Sequence, residues 1–295
     1  MVGSANKPSY QPGEKGWIEL KFHPYYKWAG QWKYRSLGIT TNAEPGIEHR
    51  YMVSIKVEPI SPNEMVQRLA KDTKLLDTML VPTIEKLTDS LFIIKTYMIL
   101  NGKPFPASSL VAITSAGTIL IDAGFDSSQA NLILEWLSLN GNSPRYCFVT
   151  HAHNDRSGGL PAYKGLTVLY SNRTAGELQR LYKQHYQYTP IDDDETFVFG
   201  DTKFQCFYPG PGHSPDNIVI YLPKYNLLYG GCFIKEAAAR DLGNLADADV
   251  KQWKRSIQKV IKRFPKPKIV IPGHGDWKDP SSLKHTVTLI KKQLP

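Results

Sequence analysis

Cys147-Phe148-Val149-Thr150-His151-Ala152-His153-Asn154-Asp155-Arg156-Ser157-Gly158-Gly159 is the stretch whose reading decides the fold. Its first four residues form a run suited to a buried strand, and two histidines and an aspartate follow at once. In extended chain, residues two apart point to the same side, so His151 and His153 can aim their imidazoles at one point. Asp155 reaches a neighbouring point as the chain turns, and Gly158-Gly159 lets the backbone swing away into the next element. Imidazole and carboxylate are zinc ligands, and such a polar cluster at a strand end is costly without a partner. The ordinary alternative, a pair of solvent-exposed loop histidines, fits the strand-to-Gly-Gly setting poorly.

Three more residues share that setting, a strand end followed by glycine or a turn. His213 lies in Tyr208-Pro209-Gly210-Pro211-Gly212-His213-Ser214, Cys232 follows Leu227–Gly231, and His274 lies in Ile271-Pro272-Gly273-His274-Gly275. Taken singly, Cys232 reads as a small buried hydrophobe and the two histidines as loop residues. In an α/β arrangement, however, strand ends converge on one edge, where sites form. His151, His153, Asp155, His213, Cys232 and His274 then supply six donors of zinc type. Two zinc ions with three protein ligands each would keep open positions for water, the pattern of a catalytic site. Cys147 and Cys206 sit inside strand runs and read as core. The acidic run Asp192–Glu195 reads as a solvated loop, because no spaced calcium-loop motif accompanies it.

Outward from these residues the pattern alternates strand and helix. Strands are expected at Leu91–Leu100, Leu110–Thr114, Thr118–Asp122, Arg145–Thr150, Thr196–Phe199, Lys203–Tyr208, Asn217–Leu222, Leu227–Gly230 and Lys268–Ile271. Helices are expected at Ser128–Asn140, Arg173–His185, Ala248–Arg263 and Ser282–Leu294. Helices distributed through both halves argue for sheets covered on their outer faces. Ahead of this part, Ser61-Pro62-Asn63-Glu64 opens a helix with Ser as cap, Pro at the first position and Glu at the third. It is expected to run to about Leu80 and to join residues 83–295 to a β-rich segment, residues 1–60, with strands at Gly16–Phe22, Lys33–Ile39 and Arg50–Val57. No run approaches the ~20 apolar residues of a membrane span. No signal peptide is expected at the start, since Met1–Lys7 is followed by Pro8 and not by an apolar stretch. The net charge of +9 invites a nucleic-acid partner, but Lys and Arg are spread along the chain without a dense run or a recognised motif. No nucleic-acid partner is expected.

The six donors, in this order and spacing, resemble the metallo-β-lactamase superfamily, and more narrowly its class B β-lactamases of the first subclass. The resemblance covers about Thr83 to Pro295. It implies a four-layer αβ/βα sandwich with two zinc ions, His151, His153 and His213 on the first and Asp155, Cys232 and His274 on the second. It further implies that Lys235 pairs with the substrate carboxylate, that Asn244 supports the developing oxyanion, and that Asp155 orients the nucleophile. The implied activity is hydrolysis of the β-lactam amide bond in penicillins, cephalosporins and carbapenems, hence antibiotic resistance, in the periplasm. Relatives acting on thioesters, esters or phosphodiesters are the alternative. They carry His after the motif aspartate and a later bridging Asp, where this chain has Arg156 and Cys232. Leu100–Ser108 falls where the family has a flap over the substrate. Separately, Pro12-Gly13-Glu14-Lys15-Gly16-x-Ile18, Trp32–Ile39 and Thr41-Asn42-Ala43-Glu44 resemble part of an immunoglobulin-like bacterial domain.

Overall fold

Alternation of side chains across adjacent strands decides which surfaces are buried. In the computed structural model, which describes residues 16–21, 26–28, 31–33, 36–41, 61–64, 66–67, 80–182 and 187–294, two sheets share one interior. The first has seven strands in the order β11-β10-β9-β8-β7-β6-β5. These are β5 (Thr83–Lys86), β6 (Leu91–Leu100), β7 (Lys103–Thr114), β8 (Gly117–Ile121), β9 (Pro144–Val149), β10 (Thr167–Ser171) and β11 (Gln187–Ile191). The second has five in the order β12-β13-β14-β15-β16: β12 (Asp194–Phe199), β13 (Thr202–Phe207), β14 (Val219–Leu222), β15 (Leu227–Gly231) and β16 (Ile269–Pro272).

Leu91, Ile93, Leu110, Ile119, Ile121 and Phe148 from the first sheet meet Phe204, Cys206, Ile220, Leu227, Tyr229 and Ile271 from the second. The intervening residues of the second sheet, Val219, Leu228 and Val270, face the other way. They pack on Trp253, Ile257 and Val260 of α4 (Val250–Arg263) and on Leu289 and Ile290 of α5 (Ser282–Gln293). On the first sheet, α1 (Ser127–Leu139) is capped by Asp126, whose side chain accepts from Gln129 N. It sets Trp136 edge-on against Phe92 of β6, at 5.1 Å between ring centres. Helix, sheet, sheet, helix is thus the layer order, as expected from the sequence.

The N-terminal unit, Met1–Ile60, is compact in its own right, and Ser61–Pro295 forms the second unit. Within the first, β1 (Gly16–Lys21) pairs antiparallel with β4 (Ser36–Thr41), and β2 (Tyr26–Trp28) with β3 (Gln31–Lys33). The strand expected over Lys33–Ile39 is therefore split between β3 and β4. The one expected at Arg50–Val57 lies outside the described residues, as does most of the helix expected up to Leu80. Its start is helical at 62–64 and 66–67, with Val66 fully buried. Asn63 accepts a hydrogen bond from Ile84 N, which ties this turn to β5.

Three local readings change. Leu100–Ser108, expected as a flap loop around a tight Asn101-Gly102 turn, keeps the turn but is strand from Lys103 on: β6 and β7 pair without interruption out to Leu100 and Lys103. The turn is the two residues Asn101 and Gly102, both at positive φ (51° and 72°), the conformation a tight hairpin demands. Strands β5, β10 and β11 go beyond the expected set: β5 and β11 are edge strands, whose half-exposed sequences lack a clear period, and β10 is a short buried run between β9 and β11, which periodicity alone does not tell from a helix or loop. The helix α3 (Asn172–Leu181) stops at Leu181, short of the expected end at His185, which lies outside the described residues.

Candidate metal centre

Strand β9 ends at Val149, and the chain does not stay extended through the histidines. Asn154–Ser157 form a single helical turn, α2, with His153 at its N-cap. The glycines that follow dictate this path. A Cβ on Gly158 would stand 2.0 Å from Phe125 O, and one on Gly159 2.1 Å from Ala123 O, so only glycine lets this turn lie against the chain leaving β8. Ala152 N donates to Asp216 Oδ2 at 2.9 Å and Thr150 N to Asp122 Oδ1 at 2.8 Å, which anchors the segment at both ends. The His151 and His153 rings stand edge to face at 4.6 Å.

His213 lies in the connection between β13 and β14, braced by Ser214 N donating to Asn217 Oδ1 at 3.0 Å. Its ring is 5.1 Å from His151 and 5.2 Å from His153. Cys232 and His274 follow β15 and β16. These strands are parallel neighbours, so both residues emerge at the same edge. A Cβ on Gly273 would sit 2.6 Å from Cys232 N; glycine there permits the close approach. The Cys232 thiol donates to Asp155 Oδ2 at 3.0 Å, and His274 Nε2 lies 3.3 Å from the sulfur and 3.2 Å from the same oxygen. The other His274 nitrogen, Nδ1, meets Pro106 O at 2.7 Å, and Phe105 packs on the ring at 4.6 Å.

All six predicted donors come together. By ligand-atom spacing they form three overlapping groups, each within 4.8 Å: Asp155 with Cys232 and His274, His151 with His153 and Asp155, and His151 with His213 and Cys232. The first reproduces the triad expected at the second zinc. The three histidines are joined through ring contacts, and their donor atoms merge with those of the acidic triad through His151.

Beneath the donors lies a buried polar layer that the sequence did not announce. Arg156, fully buried, donates to Asp155 Oδ2 through Nε at 2.9 Å and Nη2 at 2.8 Å. It also reaches Ser108 O at 2.6 Å, Gly273 O at 2.7 Å and Asp122 Oδ2 at 3.2 Å. Asp122, at φ 64°, further accepts from Tyr229 OH at 2.8 Å and from the Thr150 hydroxyl. Burial opposes the charge of Asp155, but Arg156, His274 and His151 together hold its carboxyl well below the usual carboxylate range. For Asp122 burial outweighs Arg156, and its carboxyl is raised. Burial pushes the Cys232 thiol up and depresses His151 and His213 well below an ordinary histidine.

Of the residues expected to touch substrate, Lys235 is nearly buried, its Nζ 5.4 Å above the Trp253 ring, and burial lowers its pKa. Asn244 is exposed on the connection before α4, where its Oδ1 accepts from Ala246 N at 3.0 Å; it makes no hydrogen bond to the six donors. On the same connection, Asp247 was missed by sequence reasoning. Its Oδ2 lies 2.9 Å from His153 Nε2, which fixes the ring and leaves Nδ1 toward the cluster.

The donors fit a thiophilic, imidazole-binding cation such as zinc. His151 Nε2 and His213 Nδ1 are buried without any hydrogen-bond partner, an arrangement that is costly unless something binds there. The acidic triad is instead joined by hydrogen bonds among its own groups, and binding a cation there would displace their protons.

Comparison with known proteins bears on the same region. The family model described as "Metallo-beta-lactamase superfamily" matches residues 102–274. A protein of Elizabethkingia meningoseptica named "Metallo-beta-lactamase type 2" is 37% identical over 212 residues, 71% of this chain and 85% of that one. Another of that name from Bacillus sp. (strain 170) is 39% identical over 196 residues, 65% of this chain and 75% of its own. The solved structure of a metallo-beta-lactamase from Pontibacter korlensis superposes with a TM-score of 0.68 at 35% identity, covering 72% of this chain and all (100%) of that one.

Proposed function

The chain belongs to the metallo-beta-lactamase superfamily, and from that premise we propose that it is a β-lactamase working with two zinc ions. It opens the amide bond of penicillins, cephalosporins and carbapenems and so confers antibiotic resistance. The observation that carries this reading is Cys232 within 3.3 Å of both Asp155 and His274: a thiol completes the acidic triad where a bridging Asp is the expectation for superfamily members that act on thioesters or phosphodiesters.

Zinc held by the six donors would supply a Lewis acid for the lactam carbonyl and would bring the pKa of a coordinated water down to near neutral. Asp155 is kept ionised by Arg156, and Oδ2 takes every contact from Arg156, Cys232 and His274. Oδ1 is left to accept a hydrogen bond from the attacking water and orient it. Lys235 pairs with the substrate carboxylate through a charge-assisted bond, which compensates the burial that disfavours its charge. Asn244, its carbonyl already tied to Ala246 N, presents its amide N–H to the oxygen on which negative charge develops. Phe105 and the apolar arm at Met98, Ile99 and Leu100, exposed by 40 to 55%, supply a surface for the body of the substrate.

The test is carbapenem hydrolysis followed by absorbance, before and after chelation and with zinc restored. Zinc-dependent turnover with two ions per chain by elemental analysis is expected. Two bound ions without turnover would overturn the proposal and direct the search to thioesters and phosphodiesters.

A further inference from the structure

The positive charge of this chain has one address. Residues 1–249 hold 24 Lys and Arg against 25 Asp and Glu, whereas residues 250–295 hold 12 against 2. The cations are spread along the sequence, but the anions are missing from its last helices. Helix α4 carries Lys251, Lys254, Arg255, Lys259, Lys262 and Arg263, all exposed, and no carboxylate. Helix α5, which packs against it, adds exposed Lys284, Lys291 and Lys292, again without a carboxylate. Among these nine only Arg263 is in an ion pair, with Asp194 at 3.1 Å.

Like charges at i,i+4, such as Lys251 with Arg255 and Arg255 with Lys259, weaken a helix, so this face is a standing cost until an anion covers it. Its shape restricts what that anion is. Fourteen helical residues span about 21 Å, and two adjacent helices on the outer layer of one sheet make a broad face rather than a groove. Trp253, Ile257, Val260 and Phe264 all point into the core, which leaves no ring on which a nucleic-acid base could stack. Seven of the nine cations are lysines, point charges without the planar fork that reads phosphates bidentately. A lysine array whose apolar residues pack against the core matches the diffuse negative potential of a lipid surface.

We propose that the α4–α5 face docks this protein peripherally on an anionic phospholipid bilayer. No helix among the described residues is long and apolar enough to cross a membrane, so attachment through this face is electrostatic and reversible. The cations concerned are separate from the six donors, and docking is independent of the hydrolytic activity.

The experiment is co-sedimentation of the full, zinc-loaded chain with phosphatidylcholine vesicles, with and without phosphatidylglycerol, at low salt and at about 1 M, where the Debye length falls to ~3 Å. In parallel, a variant with Lys254, Lys259, Lys262 and Lys291 all replaced by Gln is tested, its turnover confirming that it folds. Binding to the anionic vesicles alone, abolished by salt and weakened about fivefold for each lysine removed, is expected. No binding, equal binding to neutral vesicles, or binding that survives in the variant would overturn the proposal. So would retention on duplex DNA at a salt concentration where vesicles release the protein, which would identify nucleic acid as the partner.

Discussion

Arg156 grips its own sequence neighbour: Nε and Nη2 of the guanidinium close on a single oxygen of Asp155, at 2.9 and 2.8 Å. With both side chains inside the protein, that pair sets where the carboxylate stands among Cys232, His274 and His151. Removal of one partner from a buried pair strands the other's charge, at a cost of about 3–5 kcal/mol. Arg156→Ala is therefore expected to lose about that much stability in the metal-free protein, measured by guanidinium unfolding, because Asp155 and Asp122 both lose their cation. Arg156→Lys keeps the charge but not the fork and should fall between Ala and the parent; unfolding at the parent's midpoint would contradict the role given to the guanidinium.

Asp247 holds the His153 ring from outside the cluster. Carboxylates that orient a ligating imidazole in this way contribute about 10–100-fold in metal affinity. Asp247→Ala should weaken zinc binding by that factor in a competition with a chromogenic chelator, while turnover at saturating zinc stays within a few fold of the parent. A loss of turnover that excess zinc does not repair would assign Asp247 to the chemistry instead.

Cys232 is the donor that sets this site apart. Cys232→Ser keeps shape but replaces a soft donor by a poor one. The variant should hold fewer zinc ions per chain, and its cobalt-substituted form should lack the thiolate-to-metal absorption that the parent shows. Unchanged cobalt spectra in the two proteins would remove the sulfur from the ligand set.

The metal-free protein should lose stability as pH falls from about 6.5, the unfolded histidine value. His151 and His213 are buried neutral, with folded values well below that. Below pH 6.5 the unfolded chain thus binds protons that the folded chain refuses, and unfolding free energy drops with falling pH by up to about 1.4 kcal/mol per unit for each such group. Guanidinium unfolding in chelator at pH 7 and at pH 5.5 measures this slope. His213→Gln should make it shallower; a slope identical in the variant would mean that His213 is protonated in the folded state.

The sequence was legible where one physical rule acted alone. Apolar runs marked the strands at Arg145–Thr150, Leu227–Gly230 and Lys268–Ile271, and His151, His153, Asp155, His213, Cys232 and His274 could be gathered because each follows a strand. It was illegible where two distant segments decide together. Asp247 looks like any loop aspartate until the connection before α4 folds back 94 residues to His153. Asp122 closes an apolar run as many turn residues do, and nothing local shows that it will be buried beneath Arg156. The turn expected at Asp155 takes the form of α2, and the reason it must be followed by Gly158 and Gly159 is not local, since the crowding comes from Phe125 and Ala123 beyond the end of another strand.

The donors also straddle the two sheets: His151, His153 and Asp155 follow a strand of the first, and His213, Cys232 and His274 follow strands of the second. His274 is held in place by Pro106, 168 residues earlier in the chain. Loops of that length close late, since their entropy is spent before any contact rewards them. Neither half of the molecule can supply the whole donor set by itself, so the centre matures only at the end of folding. Conversely, an occupied centre rivets the halves together, and separating the sheets requires giving up metal first. Zinc supply should then govern how long the folded protein lasts as well as how fast it works.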